Sequence, residues 1–128
     1  MSITKTQERL GYQDILEIYT SGCKEKTSFQ IGVEYERLPI CVNSGVAVDY
    51  DGEFGVCNLL RNFAKAENWD YITDDYNIIG LKQGHDTITL EPGCQTELSV
   101  KPENSIQELE KKIKTLDKAM TPILVRMG

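Results

Sequence analysis

The stretch Asp86-Thr87-Ile88-Thr89-Leu90-Glu91-Pro92-Gly93-Cys94-Gln95-Thr96-Glu97-Leu98-Ser99 most constrains how this chain can fold. It reads as two short extended segments around a Pro-Gly turn. Proline presets φ at the first central turn position, and glycine tolerates positive φ at the second. Before the turn, Ile88 and Leu90 face one side, while Thr87, Thr89 and Glu91 face the other. After it, Leu98 joins the apolar side, and Gln95, Glu97 and Ser99 share the polar side. Such alternation is expected of antiparallel strands with one face buried. Glu91 and Glu97 then project from the same polar face.

A second run, Phe29-Gln30-Ile31-Gly32-Val33-Glu34-Tyr35-Glu36-Arg37-Leu38, alternates in the same way. Phe29, Ile31, Val33 and Tyr35 point one way; Gln30, Gly32, Glu34 and Glu36 point the other. Side chains two apart on a strand are roughly 6–7 Å apart. At an effective dielectric near 20, two negative charges at that distance repel by roughly 2–3 kcal/mol. A fold that places both on one face needs a cation or a solvated surface there. Spacing alone favours the solvated acidic face. If both runs join one sheet, Glu34, Glu36, Glu91 and Glu97 converge.

The remaining segments supply helices and short strands. Leu10, Ile15, Ile18 and Tyr19 predict a helix from Thr6 to Tyr19, stopping at Ser21-Gly22. Val46 to Tyr50 reads as extended. Val56, Leu59, Leu60, Phe63 and Ala66 predict an amphipathic helix over Phe54 to Asn68. Trp69, Tyr71 and Ile72 alternate as a short strand, Asn77 to Gln83 as another, and Gln83-Gly84-His85-Asp86 is a turn. Ser105 and Glu108 form a capping box before Ile106, Leu109, Ile113, Leu116 and Met120, a helix that Pro122 is expected to end. The order of elements predicts an α+β fold, a mainly antiparallel sheet with flanking helices.

Charge and length narrow the function. The chain has 128 residues, with 20 acidic and 14 basic side chains and a net charge of −6. No basic run exceeds Lys111-Lys112, which argues against nucleic acid as a partner. No apolar stretch approaches the roughly 20 residues needed to cross a membrane. The start, Met1-Ser2-Ile3-Thr4-Lys5, lacks the apolar core of a secretory signal, so the cytoplasm is the expected compartment. Cys23, Cys41, Cys57 and Cys94 form no C-x-x-C pair and are expected to be reduced thiols. With His85 the single histidine, zinc-type spacing is absent.

The pattern Ile31-Gly32-Val33-Glu34-Tyr35-Glu36 resembles the first-strand motif of plant-type glutamate–cysteine ligases, or γ-glutamylcysteine synthetases. Asn77-Ile78-Ile79-Gly80-Leu81-Lys82, followed by Ile88-Thr89-Leu90-Glu91-Pro92-Gly93 and Gln95-Thr96-Glu97-Leu98-Ser99, resembles that family's most distinctive stretch. Tyr50-Asp51-Gly52 and the helix after it fit as well, so the resemblance runs from about Gln7 to Met120. It implies the catalytic cup shared by glutamine synthetase and the guanidino kinases. It also implies a reaction in which ATP phosphorylates the γ-carboxylate of L-glutamate. The amine of L-cysteine then displaces phosphate, in the first step of glutathione biosynthesis. Magnesium is the implied cofactor. Glu34, Glu36, Glu91 and Glu97 are the implied metal and substrate-site carboxylates, with Gln95 and Ser99 as substrate contacts.

The sequence departs from the family in two respects. Cys94 stands where the family usually has a second glycine, which restricts the turn if φ is positive there. Family members are also several times longer, and their later strands supply basic residues for ATP phosphates and glutamate. The expectation is therefore that residues 1–128 form the N-terminal portion of one ligase catalytic domain, binding magnesium weakly and inactive alone. The alternatives are a carboxylate–amine ligase with another amine acceptor, and a truncated non-catalytic module that binds a metal or a partner.

Overall fold

The computed structural model describes residues 9–127. Both alternating runs become strands of one sheet. Its strands are β1 (Ile31–Arg37), β2 (Asp70–Asp74), β3 (Asn77–Gln83), β4 (Asp86–Glu91) and β5 (Gln95–Glu103). All pairings are antiparallel and the order is β1-β5-β4-β3-β2. Strands β2 to β5 form a meander, and β1 adds itself outside β5. The β3–β4 turn relies on Gly84 at φ +62, and the β4–β5 turn on Gly93 at +77 and Cys94 at +61. The restriction expected at Cys94 is therefore present.

A bulge shifts the β2–β3 register, so that Ile72 opposes Gly80 but Thr73 opposes Ile78. The extra residue, Ile79, is exposed, and Ile78 is buried along with Leu81. The bulge thus lets one strand bury two residues that strict alternation would place on opposite faces.

Among the described residues, three α-helices complete the fold: α1 (Tyr12–Ser21), α2 (Val56–Glu67) and α3 (Ile106–Met127). Helix α2 packs on β3 and α3 on β5, both on the apolar face of the sheet. Val56, Leu59, Leu60, Phe63 and Ala64 recur at helical spacing and meet Leu81, Ile88, Leu98 and Val100 in the core. Asn68, at φ 58 and ψ 52, closes α2 in the left-handed conformation. That turn delivers Trp69 edge-on to Phe63, with ring centroids 5.6 Å apart. Lys112 on α3 reaches Glu103 at 2.7 Å and Asp86 at 3.8 Å. Asp117 on the same helix pairs with Arg37 at 2.5 Å. Half of the capping box forms: the Glu108 amide donates to Ser105 Oγ at 3.3 Å, and the Ser105 hydroxyl donates to Glu108 Oε2 at 3.2 Å.

Three sequence expectations need correction. Helix α1 begins at Tyr12, because Gly11 is extended and its amide donates to Asp14 Oδ2 at 2.7 Å; residues 6–8 of the expected helix lie outside the described residues. The Val46–Tyr50 segment makes only a single bridge, Ile40 to Ala47. Pro122 does not end α3, which continues to Met127. Proline removes one backbone donor from the helix, but Ile123 immediately after it is buried in the core, and that burial outweighs the missing hydrogen bond.

The apolar face is only partly covered. A cavity of about 500 Å³ lies among Leu38, Ile40, Val42, Phe54, Leu116 and Leu124. Helix α1 has no buried residue. All four cysteines are free; Cys57 and Cys94 pack half-buried against the core, and Cys23 is exposed.

Candidate functional site

The face of the sheet turned away from α2 and α3 carries the six site residues singled out in the sequence, Glu34, Glu36, Glu91, Gln95, Glu97 and Ser99. Strand register places them in rows. Glu36 opposes Glu97, which opposes Thr89, which opposes Gly80. In the next row Glu34 opposes Ser99, Ser99 opposes Thr87, and Thr87 opposes Lys82. Glu91 opposes Gln95 at the turn end of β4 and β5. Period-two alternation then puts Glu34, Glu36, Glu91, Gln95, Glu97 and Ser99 on one face.

These carboxylates share a face without forming one cluster. Among the described residues, no three aspartate, glutamate, histidine or cysteine side chains gather closely enough to hold an ion by themselves. The register brings Glu36 and Glu97 directly together, separates Glu34 from them by one row, and leaves Glu91 beside the turn. Directly opposed residues on adjacent antiparallel strands have Cα atoms about 4.5–5.5 Å apart. Two carboxylates there destabilise the pairing unless something neutralises them.

Neutral donors flank that pair. Gln95 Nε2 donates to Glu36 Oε2, and Ser99 Oγ donates to Glu97 Oε1 at 2.9 Å. Glu36 is exposed and Glu97 half-buried. The donor set is all oxygen, which suits magnesium. That ion takes one or two carboxylates and completes its octahedron with waters and phosphate oxygens, without an all-protein cage. Glu36 and Glu97 on an open face meet this requirement. His85 sits in the exposed β3–β4 turn.

Two residues of this face escaped the sequence reading. Gly80 is buried in the Glu36–Glu97 row, and a Cβ there would lie 2.5 Å from the Ile88 carbonyl oxygen. An isolated glycine inside a strand pattern is the signal for such a close approach. Lys82 lies two residues further along β3 and places a cation on the same face.

No family model matches the chain. Over 101 residues it is 37% identical to the protein named glutamate–cysteine ligase B, chloroplastic, of Oryza sativa subsp. japonica, covering 79% of this chain and 20% of that one. It is 38% identical over 101 residues to the chloroplastic glutamate–cysteine ligase of Medicago truncatula, covering 79% and 19%. The corresponding Arabidopsis thaliana protein is 37% identical over the same length. The matched stretch belongs to the plant glutamate–cysteine ligase family. The chain spans about one fifth of the length of the glutamate–cysteine ligases it matches.

The names of these ligases also overturn the cytoplasmic expectation, since each is called chloroplastic. The lack of an apolar run in the first five residues does not select the cytoplasm, since plastid transit peptides are amphipathic and rich in arginine and serine. Among the described residues no helix is long and apolar enough to cross a membrane.

Proposed function

We propose that this chain supplies the carboxylate-bearing strands of an ATP-dependent glutamate–cysteine ligase. In this reading its sheet is one wall of a cup of the glutamine synthetase type. The substrates are L-glutamate, L-cysteine and ATP, and the product feeds glutathione synthesis. The relatives' names support the plastid as its compartment. The observation that carries the proposal is the opposed pair Glu36–Glu97 on an open sheet face, within a stretch related to these ligases.

The chemistry asks little of a covalent kind from the protein. Phosphoryl transfer needs positioning and neutralisation of charge on the phosphate oxygens. Magnesium, when bound, supplies that neutralisation. Glu36 and Glu97 would hold it, Glu34 and Glu91 extending the acidic face on either side. The antiparallel sheet fixes the spacing of these side chains, because register on a half-buried sheet cannot slip by one residue without exposing the core.

Thermal melts with and without magnesium test this reading. A ligand that binds only the folded state stabilises it, by about 2.7 kcal/mol at one hundred times its dissociation constant. The expected result is a metal-dependent rise in melting temperature that Glu36→Gln removes. The 128-residue chain is expected to make no γ-glutamylcysteine alone, and detectable synthesis would overturn its assignment as a part of the catalytic domain.

A further inference from the structure

We propose that Gln95 and Ser99 are positioning residues, which aim Glu36 and Glu97 at a divalent cation. The inference rests on the cation site just described and assigns it two supporting side chains. Strand β5 presents Gln95, Glu97 and Ser99 in succession on one face, a carboxylate between two neutral hydrogen-bond donors.

The donor inventory decides their role. Serine has one hydroxyl proton, and that of Ser99 goes to Glu97 Oε1 at 2.9 Å. Toward any other group, Ser99 is then only an acceptor. Its cross-strand neighbour Glu34 is also an anion, yet the hydroxyl turns along its own strand to Glu97. Gln95 crosses from β5 to β1 and gives an amide N–H to Glu36 Oε2. The opposite amide orientation would set a carbonyl oxygen against a carboxylate, so the donor assignment follows from charge.

Each opposed carboxylate therefore has one oxygen held by a neutral donor. The other oxygens, Glu36 Oε1 and Glu97 Oε2, accept no hydrogen bond from the described residues. Hydrogen-bond partners of this kind fix the orientation of metal ligands, and their loss lowers metal affinity about 10–100-fold. Fixed orientation matters here because the two carboxylates face each other and would otherwise rotate apart. Neutral donors hold them without adding a competing positive charge.

Manganese(II) binding to the purified 128-residue chain, read from the spectroscopic signal of the free ion, tests the assignment. Ser99→Thr keeps the hydroxyl and Ser99→Val keeps the shape without it, and both residues suit a strand. Binding is expected to survive in the threonine variant and to weaken about 10–100-fold in the valine variant and in Gln95→Leu. Melting curves of each variant identify any that fails to fold; the threonine–valine comparison then carries the test. If Ser99→Val and Gln95→Leu bind like the parent chain while Glu36→Gln and Glu97→Gln do not, the positioning role is overturned and the cation site stands. If the glutamine variants also bind like the parent, or the parent binds nothing at millimolar manganese, the cation site falls and the positioning role with it.

Discussion

Glu36 on β1 lies directly opposite Glu97 on β5, with Gln95 donating to the first and Ser99 to the second. Like charges in that position work against the strand pairing that creates it. In metal-free buffer, Glu97→Gln is therefore expected to stabilise the fold by a few tenths to about 1 kcal/mol. The melting temperature should rise by a few degrees without metal and no longer respond to magnesium. A lower melting temperature in metal-free buffer would show that Glu97 is structurally required and not held against repulsion.

The ion cluster at the far end of β5 predicts how stability varies with pH. The hydrogen bond from Lys112 holds Glu103 below its ordinary 4.5, and the hydrogen bond to Glu103 holds Lys112 above its ordinary 10.5. A depressed carboxylate contributes stability above its unfolded value, lost as pH falls through its folded value. A raised ammonium contributes below its unfolded value, and that contribution is lost as pH rises through its folded value. Lys112→Met should therefore be less stable than the parent near neutral pH. The gap should shrink as pH falls below about 4.5, and urea melts at neutral and acid pH will measure it.

Phe63 is fully buried and stacks edge-on against Trp69. Truncation to alanine should cost about 3–5 kcal/mol, a large share of the stability of a small domain. Trp69 is the single tryptophan, so its fluorescence reports the loss directly. Phe63→Ala is expected to shift the urea midpoint strongly downward or to abolish the transition. A change below 1 kcal/mol would mean that α2 does not dock as described.

Cys94 holds φ +61, a conformation that costs a residue with a Cβ about 1–2 kcal/mol. Its side chain is also half-buried against the core, so replacement loses some contact. Cys94→Gly should stabilise the fold by up to about 1 kcal/mol. Cys94→Val should destabilise it by more, because β-branching makes positive φ worse. Equal melting temperatures for the two variants would show that the turn carries no strain.

Much of this architecture was legible in the residues. The alternation of Asp86–Ser99 and Phe29–Leu38 gave the strands, their faces and the sharing of one face by the carboxylates, because period two is a local property. The boundaries of β3, Asn77 and Gln83, were read correctly even though its bulge breaks the alternation. Pairing was less legible: nothing local to Glu36 says that its partner is Glu97 and not Glu91. That choice follows from β1 pairing beside β5, a long-range contact. Pro122 misled because helix propensity is local, whereas the burial of Ile123 is tertiary. Gly80 passed unremarked because its role depends on the Ile88 carbonyl of the neighbouring strand. The hydrogen bonds from Gln95 and Ser99 depend on where single protons point, which no spacing encodes.

Helix α1 buries none of its residues, and this divides the molecule dynamically. An isolated ten-residue helix is marginal in water, since nucleation is unfavourable and few turns follow to offset it. The α1 amides should then exchange with solvent deuterium through local fraying, while those of β4 and β5 exchange only through rare, larger openings. On that expectation the chain carries two clocks, a fast arm and a slow sheet, with the acidic face built on the slow one.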